Sequence, residues 1–171
     1  LVNEKNLITK VYFPRIIIPA SSIIAGLLDF LIALIIFLIL MAFYQITITW
    51  RLLLIPVFVL VVVVTALSVG LWLTTLNVKY RDIRYVIPFL TQVWMYATPI
   101  AYSSTLIPEK WVWLYSLNPM VGVVDGFRWM MLGQQVQFPT YFFVSLLAVA
   151  VLLLSGFLYF KSTEDTFADV I

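Results

Sequence analysis

The chain has 171 residues, of which 64% are hydrophobic and 11% are charged, with a mean hydropathy of +1.09. Soluble domains are only about 45–50% apolar and about 25% charged, so lipid is the expected solvent for most of this chain. The net charge of +2 is too small to indicate a nucleic-acid partner. With no Cys and no His, the sequence excludes disulfides, thiolate metal sites and the usual near-neutral proton shuttle.

The first predicted element is a short amphipathic helix in residues 3–13. Apolar side chains such as Leu7 and Tyr12 are mixed with charged ones such as Lys10, and Pro14 ends the pattern. Such a helix lies in the headgroups at the inner membrane surface or docks on another protein. Because the chain begins without an initiator Met or a signal-peptide pattern, we expect that a further segment precedes it.

Four apolar segments follow, and each is predicted to cross the membrane, which takes roughly 20 residues. They are residues 16–44, 52–76, 85–102 and 141–160. The second is rich in Val, which favours a strand in water, but a lone strand in lipid leaves its backbone without hydrogen bonds, so a helix is expected. The sequence therefore predicts an all-α integral membrane protein, a polytopic helical bundle, with residues 16–171 as its transmembrane domain.

Residues 111–132 are apolar enough for another span, but they carry Asn118, Pro119, Asp125 and Arg128. A charge at the bilayer centre costs about 2.5–3.5 kcal/mol or more, and a proline interrupts a helix. A re-entrant or interfacial helical hairpin is therefore favoured over a fifth crossing.

The distribution of basic residues predicts the orientation of the four crossings. One side of the membrane collects Lys5, Lys10, Arg15, Lys79, Arg81, Arg84 and Lys161, and the other collects Arg51, Lys110 and Arg128. The positive-inside rule then places both ends of the chain in the cytoplasm and the hairpin on the outer side.

Several polar and aromatic residues are candidates for function, each with a structural alternative. Asp29 is predicted about 20 Å into the first span, where it either faces a polar substrate path or hydrogen-bonds to a neighbouring helix.

The loop with Tyr80, Arg81, Asp82 and Arg84 either contacts a cytoplasmic partner or only orients the chain. The aromatic side chains Tyr96, Tyr102, Trp111 and Trp129 either stack on sugar rings or form an ordinary interfacial belt.

Catalysis is not expected. The sequence has no phosphate-binding loop, no metal-ligand cluster and no nucleophilic serine motif, and its membrane acids Asp29 and Asp125 are isolated from each other.

Four stretches together resemble one family, the membrane permeases of ATP-driven exporters of polysaccharide and polyol phosphate, such as O-antigen, capsule or teichoic acid. They are KVYFPR at residues 10–15, YRDIR at 80–84, YSLNPM with DGFR in 115–128, and FKSTEDTFADVI at 160–171. The resemblance implies the last four spans of a six-span type-2 ABC exporter permease with a re-entrant hairpin on the outer side.

The same resemblance implies roles and partners. Residues 1–15 would form a cytoplasmic coupling helix whose contacts with an ATP-binding cassette subunit are made by Leu7, Lys10, Tyr12, Phe13, Pro14 and Arg15. A second permease copy would pair with this one around a lipid-linked glycan in the bacterial inner membrane. ATP and Mg would be bound by the partner subunit, and no cofactor by this chain.

Three alternatives stay open. A related permease could export a drug or a lipid, and a structural subunit would need no ATP-binding partner. A membrane-embedded enzyme acting on lipid-linked sugars would use paired acids, or an acid with His, which this sequence does not provide.

Overall fold

The computed structural model describes residues 17–47, 49–80, 82–133 and 138–163, and within these ranges all regular elements are helices. The α-helices are α1 (Ile17–Phe43), α2 (Ile55–Lys79), α3 (Ile83–Ala97), α4 (Glu109–Ser116), α5 (Pro119–Leu132) and α6 (Phe138–Thr163). Short 3-10 helices lie at Trp50–Leu54 and Ser104–Leu106. The prediction of an all-α fold is confirmed, including a helix through the valine-rich segment of α2.

Three helical segments are long and apolar enough to cross a membrane: Ile23–Phe43, Trp50–Lys79 and Phe142–Thr163. They fall within or around three of the four predicted spans, and they make this chain a multi-pass membrane protein. The remaining predicted span, the third in chain order at residues 85–102, contains α3, which has 15 residues. At 1.5 Å per residue this helix is about 22 Å long, shorter than the hydrocarbon core.

The local sequence explains why α3 ends early. Thr98 takes an extended conformation, with φ −100° and ψ 133°, because it precedes Pro99 and a residue before proline is disfavoured in the helical region. The helix therefore stops at Ala97, before the predicted boundary at residue 102. A crossing by this segment stays a prediction.

The tightly packed part of the molecule is formed by α2, α5 and α6. Val61 of α2, Val123 of α5 and Val149 of α6 are buried together where the three helices meet. Close approach depends on glycine: a Cβ on Gly122 would come within 2.8 Å of the Ser145 hydroxyl oxygen. Small residues are the usual means by which helices pack closely in a membrane.

Residues 111–132, the predicted hairpin, contain the end of α4 and all of α5. Asn118 caps α5, since its side chain accepts a hydrogen bond from the Met120 N–H, and Pro119 occupies the first helical turn, where its missing N–H costs nothing. Gly133 ends α5 with φ 65°, a left-handed conformation that glycine adopts readily. The depth of these two helices in the membrane stays a prediction.

Candidate functional site

The C-terminal end of α3 is joined to α5 by a group of polar contacts, which we call the α3–α5 junction and which comprises Ala97, Thr98, Pro99, Ile100, Asn118, Asp125 and Arg128. Asn118 lies at its centre. Its amide nitrogen donates to the Thr98 hydroxyl at 2.9 Å and to the Ala97 carbonyl at 3.5 Å, while its amide oxygen caps α5. Thr98 is deeply buried, with 1% of the residue exposed.

Arg128 makes the second link in the junction. Its guanidinium donates to the Ile100 carbonyl at 3.1 Å and lies 3.5 Å from the Asp125 carboxylate. Burial raises the pKa of Asp125, which lies outside the three spanning segments, while hydrogen bonding by Ser104 and the charge of Arg128 act in the opposite direction. Among the described residues Asp125 therefore pairs with Arg128 and not with a second acid. Arg128 in turn holds the loop at Ile100.

Tyr102 and Tyr96 are brought together near this junction. The Tyr102 hydroxyl donates to the Tyr96 carbonyl at 3.1 Å and lies 3.4 Å from the Tyr115 hydroxyl. The Tyr96 ring itself is 64% exposed and is available for stacking.

The two tryptophans of the predicted substrate path have different surroundings. The Trp129 ring stacks with Arg51, whose guanidinium carbon lies 4.7 Å from the ring centre, and it packs beside the core. Trp111 is exposed, and the Lys110 ammonium lies 6.0 Å from its ring centre. An aromatic ring beside a cation is typical of both interfacial anchors and ligand platforms.

One face of α3 carries a row of exposed side chains, which we call the α3 stripe: Tyr85, Phe89, Gln92 and Tyr96. Their spacing of four, three and four residues places them on one side of a helix, and all of them are exposed, as are most of the other residues of α3. Sequence reasoning identified only Tyr96, although the helical period could have found the other three. A polar amide between aromatic rings on an exposed face is not what pure lipid contact requires.

Asp29 is exposed on α1, and among the described residues it has no hydrogen-bond or ionic partner. An apolar groove of about 340 Å³ lies between α1 and α2 and is lined by residues such as Gly26, Phe30, Val59 and Val63, but Asp29 is not among its lining residues. The structure thus leaves both interpretations of Asp29 open, because neither a neighbouring helix nor a path contacts it within this part of the chain.

The predicted coupling residues Leu7, Lys10, Tyr12, Phe13, Pro14 and Arg15 lie outside the described residues, as does Arg81. In the neighbouring loop, Tyr80 and Asp82 are exposed. Arg84 is also exposed and donates to the Tyr85 hydroxyl at 2.8 Å. Within the described ranges no three acidic or other ligating side chains are grouped so as to hold a metal ion.

Comparison with known proteins places the chain among transport proteins. The family described as ABC-2 type transporter matches residues 2–132. A protein named O-antigen export system permease protein RfbA from Myxococcus xanthus is 29% identical over 99% of this chain, and two of the same name from Klebsiella pneumoniae are 26% and 27% identical. The chain spans 66% of the length of each of these relatives.

Proposed function

The chain belongs to the ABC-2 type transporter family, and from this membership we propose that it is the membrane-spanning permease of an ATP-driven exporter. Its proposed cargo is a lipid-linked polysaccharide or polyol phosphate that crosses the bacterial inner membrane. The observation that carries this proposal is that three relatives matching 99% of the chain are all named as O-antigen export permeases.

The proposed mechanism is physical rather than covalent. ATP and Mg are bound by a separate ATP-binding cassette subunit, and hydrolysis there biases the permease between two membrane conformations. A ligand shifts such an equilibrium only by as much as it distinguishes the two states, so the partner must contact a part of the permease that moves. Residues 1–15 and the loop 80–84 are the proposed contact, with both ends of the chain in the cytoplasm.

Within the coupling segment, the apolar side chains are the proposed anchors in a groove of the ATP-binding subunit. Leu7, Tyr12 and Phe13 supply apolar contact, and Lys10 and Arg15 supply charge beside it. Pro14 ends the segment, so a displacement of the segment is transmitted to the start of the first span. Tyr80, Arg81, Asp82 and Arg84 form the second contact.

The α3 stripe supports a glycan cargo. Tyrosine rings offer apolar faces and a polar hydroxyl, a combination suited to sugar rings, which also have apolar faces and hydroxyl edges. The proposed glycan contacts are Tyr96 at one end of the stripe, Tyr102 bonded to it, Trp111 and Trp129. Asp29 is a proposed polar contact on α1. A second permease copy facing the stripe would complete the path and shield it from lipid.

The experiment that tests this proposal is purification of the full-length protein from its own membranes, with mass spectrometry to identify and count bound subunits. We expect an ATP-binding cassette subunit in equal amount, and we expect Phe13→Asp to release it, since a carboxylate would be buried in an apolar contact. Phe13→Leu is the matched control and should retain the subunit.

Absence of an ATP-binding subunit after gentle extraction would overturn the proposal in favour of an enzyme or a structural subunit. Retention of the subunit by the Phe13→Asp variant, with export unchanged, would overturn the coupling segment alone.

One observation favours a second candidate, a related permease that exports a lipid or an apolar drug. The groove between α1 and α2 has an almost wholly apolar lining, as an apolar cargo would require. A strain that lacks the protein distinguishes the candidates: glycan export predicts loss of surface polysaccharide, and drug export predicts sensitivity to the drug with the polysaccharide intact.

A further inference from the structure

We infer that Asn118 is a positioning residue that fixes the C-terminal end of α3 to α5, so that α3 turns about this end while its N-terminal end moves. The inference concerns which end of the helix is held, and it rests on the proposed function only for what the motion accomplishes.

The first observation is the contrast in burial between α3 and the residues that follow it. None of the 15 residues of α3 is buried. Thr98 is 1% exposed, and Pro99 immediately after it is less than 2% exposed. The helix therefore lies at the surface of the described structure, and the two residues that follow its C-terminal end are buried.

The second observation is that polar contacts converge on this embedded end. Asn118 donates to the Thr98 hydroxyl and to the Ala97 carbonyl, and Arg128 donates to the Ile100 carbonyl. The Ala97 carbonyl is one of the groups at the end of α3 that have no partner within the helix, and the Thr98 hydroxyl and the Ile100 carbonyl belong to the residues just after it.

Asn118 is suited to this role because both halves of its amide are used. The oxygen starts α5 by capping the Met120 N–H at 3.1 Å, and the nitrogen holds the end of α3. One side chain therefore sets the end of α3 against the beginning of α5, which packs on α2 and α6.

The third observation concerns the other end of α3. Only residues 80–82 separate α2 from α3, and three extended residues reach about 10 Å, so a small tilt is allowed and a large displacement is not. Pro88 lies inside the helix and removes one backbone hydrogen bond, which allows bending near this end. The N-terminal end can tilt while the junction stays in place.

Under the proposed function, a push from the ATP-binding subunit on loop 80–84 would tilt α3 about the junction. The Tyr85 end of the α3 stripe would then move more than the Tyr96 end. Only the Tyr85 end of the stripe would therefore move toward or away from the surface that faces it.

The test is pulsed EPR on the full-length protein in nanodiscs without nucleotide. The 171 residues contain no Cys, so cysteines placed at Tyr85 or Tyr96, each paired with one at the exposed Leu154 of α6, add no background from this segment. We expect the distance distribution from position 85 to be about twice as wide as that from position 96. Side chains of α5 donate hydrogen bonds to the latter end, whereas the described bonds at the N-terminal end are local, including the backbone ones from Ile83 to Tyr80 and from Tyr85 to Asp82.

Asn118→Asp keeps the cap on Met120 and removes the amide donations to Thr98 and Ala97, but the Thr98 hydroxyl can still donate to the carboxylate, so Thr98→Val is the decisive variant. Thr98→Val removes the acceptor from the other side. Each should widen the distribution at position 96 about twofold and leave position 85 little changed. The matched control is Thr91→Val, because the Thr91 hydroxyl bonds only within α3, to the Pro88 carbonyl at 2.8 Å.

Equal widths at the two positions in the parent protein would overturn the inference, and so would an unchanged width at position 96 in both junction variants. Neither measurement requires nucleotide, cargo or an ATP-binding subunit. A protein that fails to bind an ATP-binding subunit but shows the expected widths would contradict the proposed function and leave this inference standing.

Discussion

At Gly126 the helix α5 approaches α2 so closely that an added Cβ would overlap the ring of Phe58. Overpacking of this kind costs about 1–3 kcal/mol, more than the gain of about 1 kcal/mol from replacing glycine by alanine in a helix. We expect Gly126→Ala to lower the thermal unfolding temperature of the detergent-solubilised protein. Gly70→Ala in α2 is the control, because a Cβ there meets nothing within 4 Å. Equal unfolding temperatures for the two variants would contradict the packing explanation.

Individual contacts were only partly predictable from the sequence. Asp125 and Arg128 are three residues apart on a helix, a spacing that predicts their pairing. By contrast, the bond from Arg128 to Ile100 and the close approach of Gly126 to Phe58 join segments distant in the chain. Such contacts depend on how helices pack, which hydropathy does not determine.

The pairing of α2 with α6 includes one polar contact between side chains, in which the Trp72 indole donates to the Ser155 hydroxyl at 3.2 Å. Hydrogen bonds between membrane helices contribute about 0.6 kcal/mol on average. We expect a double-mutant cycle of Trp72→Phe and Ser155→Ala to give a coupling free energy of that size in detergent unfolding. A coupling near zero would show that Ser155 is satisfied by its own helix, through its bond to the Val151 carbonyl at 2.7 Å.

Whole helices were more predictable than contacts, because apolar length and proline act locally. The valine-rich segment was expected to be helical in lipid and forms α2 (Ile55–Lys79). Helix α3 ends at Ala97 because Thr98 precedes Pro99. This signal is present in the sequence, but the predicted boundary at residue 102 followed the longer apolar run instead. Pro119 was read as an interruption, and it begins α5 instead of merely ending a helix.

Across the part of the molecule that the structure describes, the packed unit of α2, α5 and α6 contrasts with α1 and α3, which expose most of their side chains, although Met41 near the end of α1 is buried. Lipid alone accounts for the exposed Leu and Ile residues of α1, but not for Asp29 or for Gln92 of α3. A polar group in a membrane helix finds a protein or water partner. The surfaces of α1 and α3 are therefore where we expect a second permease copy and the cargo.

The α3 stripe gives this expectation a direct test through Tyr96. If its exposed ring stacks on passing sugar units, Tyr96→Ala should reduce export severalfold, since an aromatic contact contributes about 0.5–1.5 kcal/mol. Tyr96→Phe keeps the ring and should retain most export. The readout is surface polysaccharide in a strain whose own copy is deleted, normalised to permease in the membrane. Leu147→Ala, at a position 67% exposed on α6, controls for lost lipid contact. Equal export by the Tyr96→Ala and Leu147→Ala variants would mean that Tyr96 only anchors the helix in the membrane interface, because an anchor tolerates loss of one ring among many.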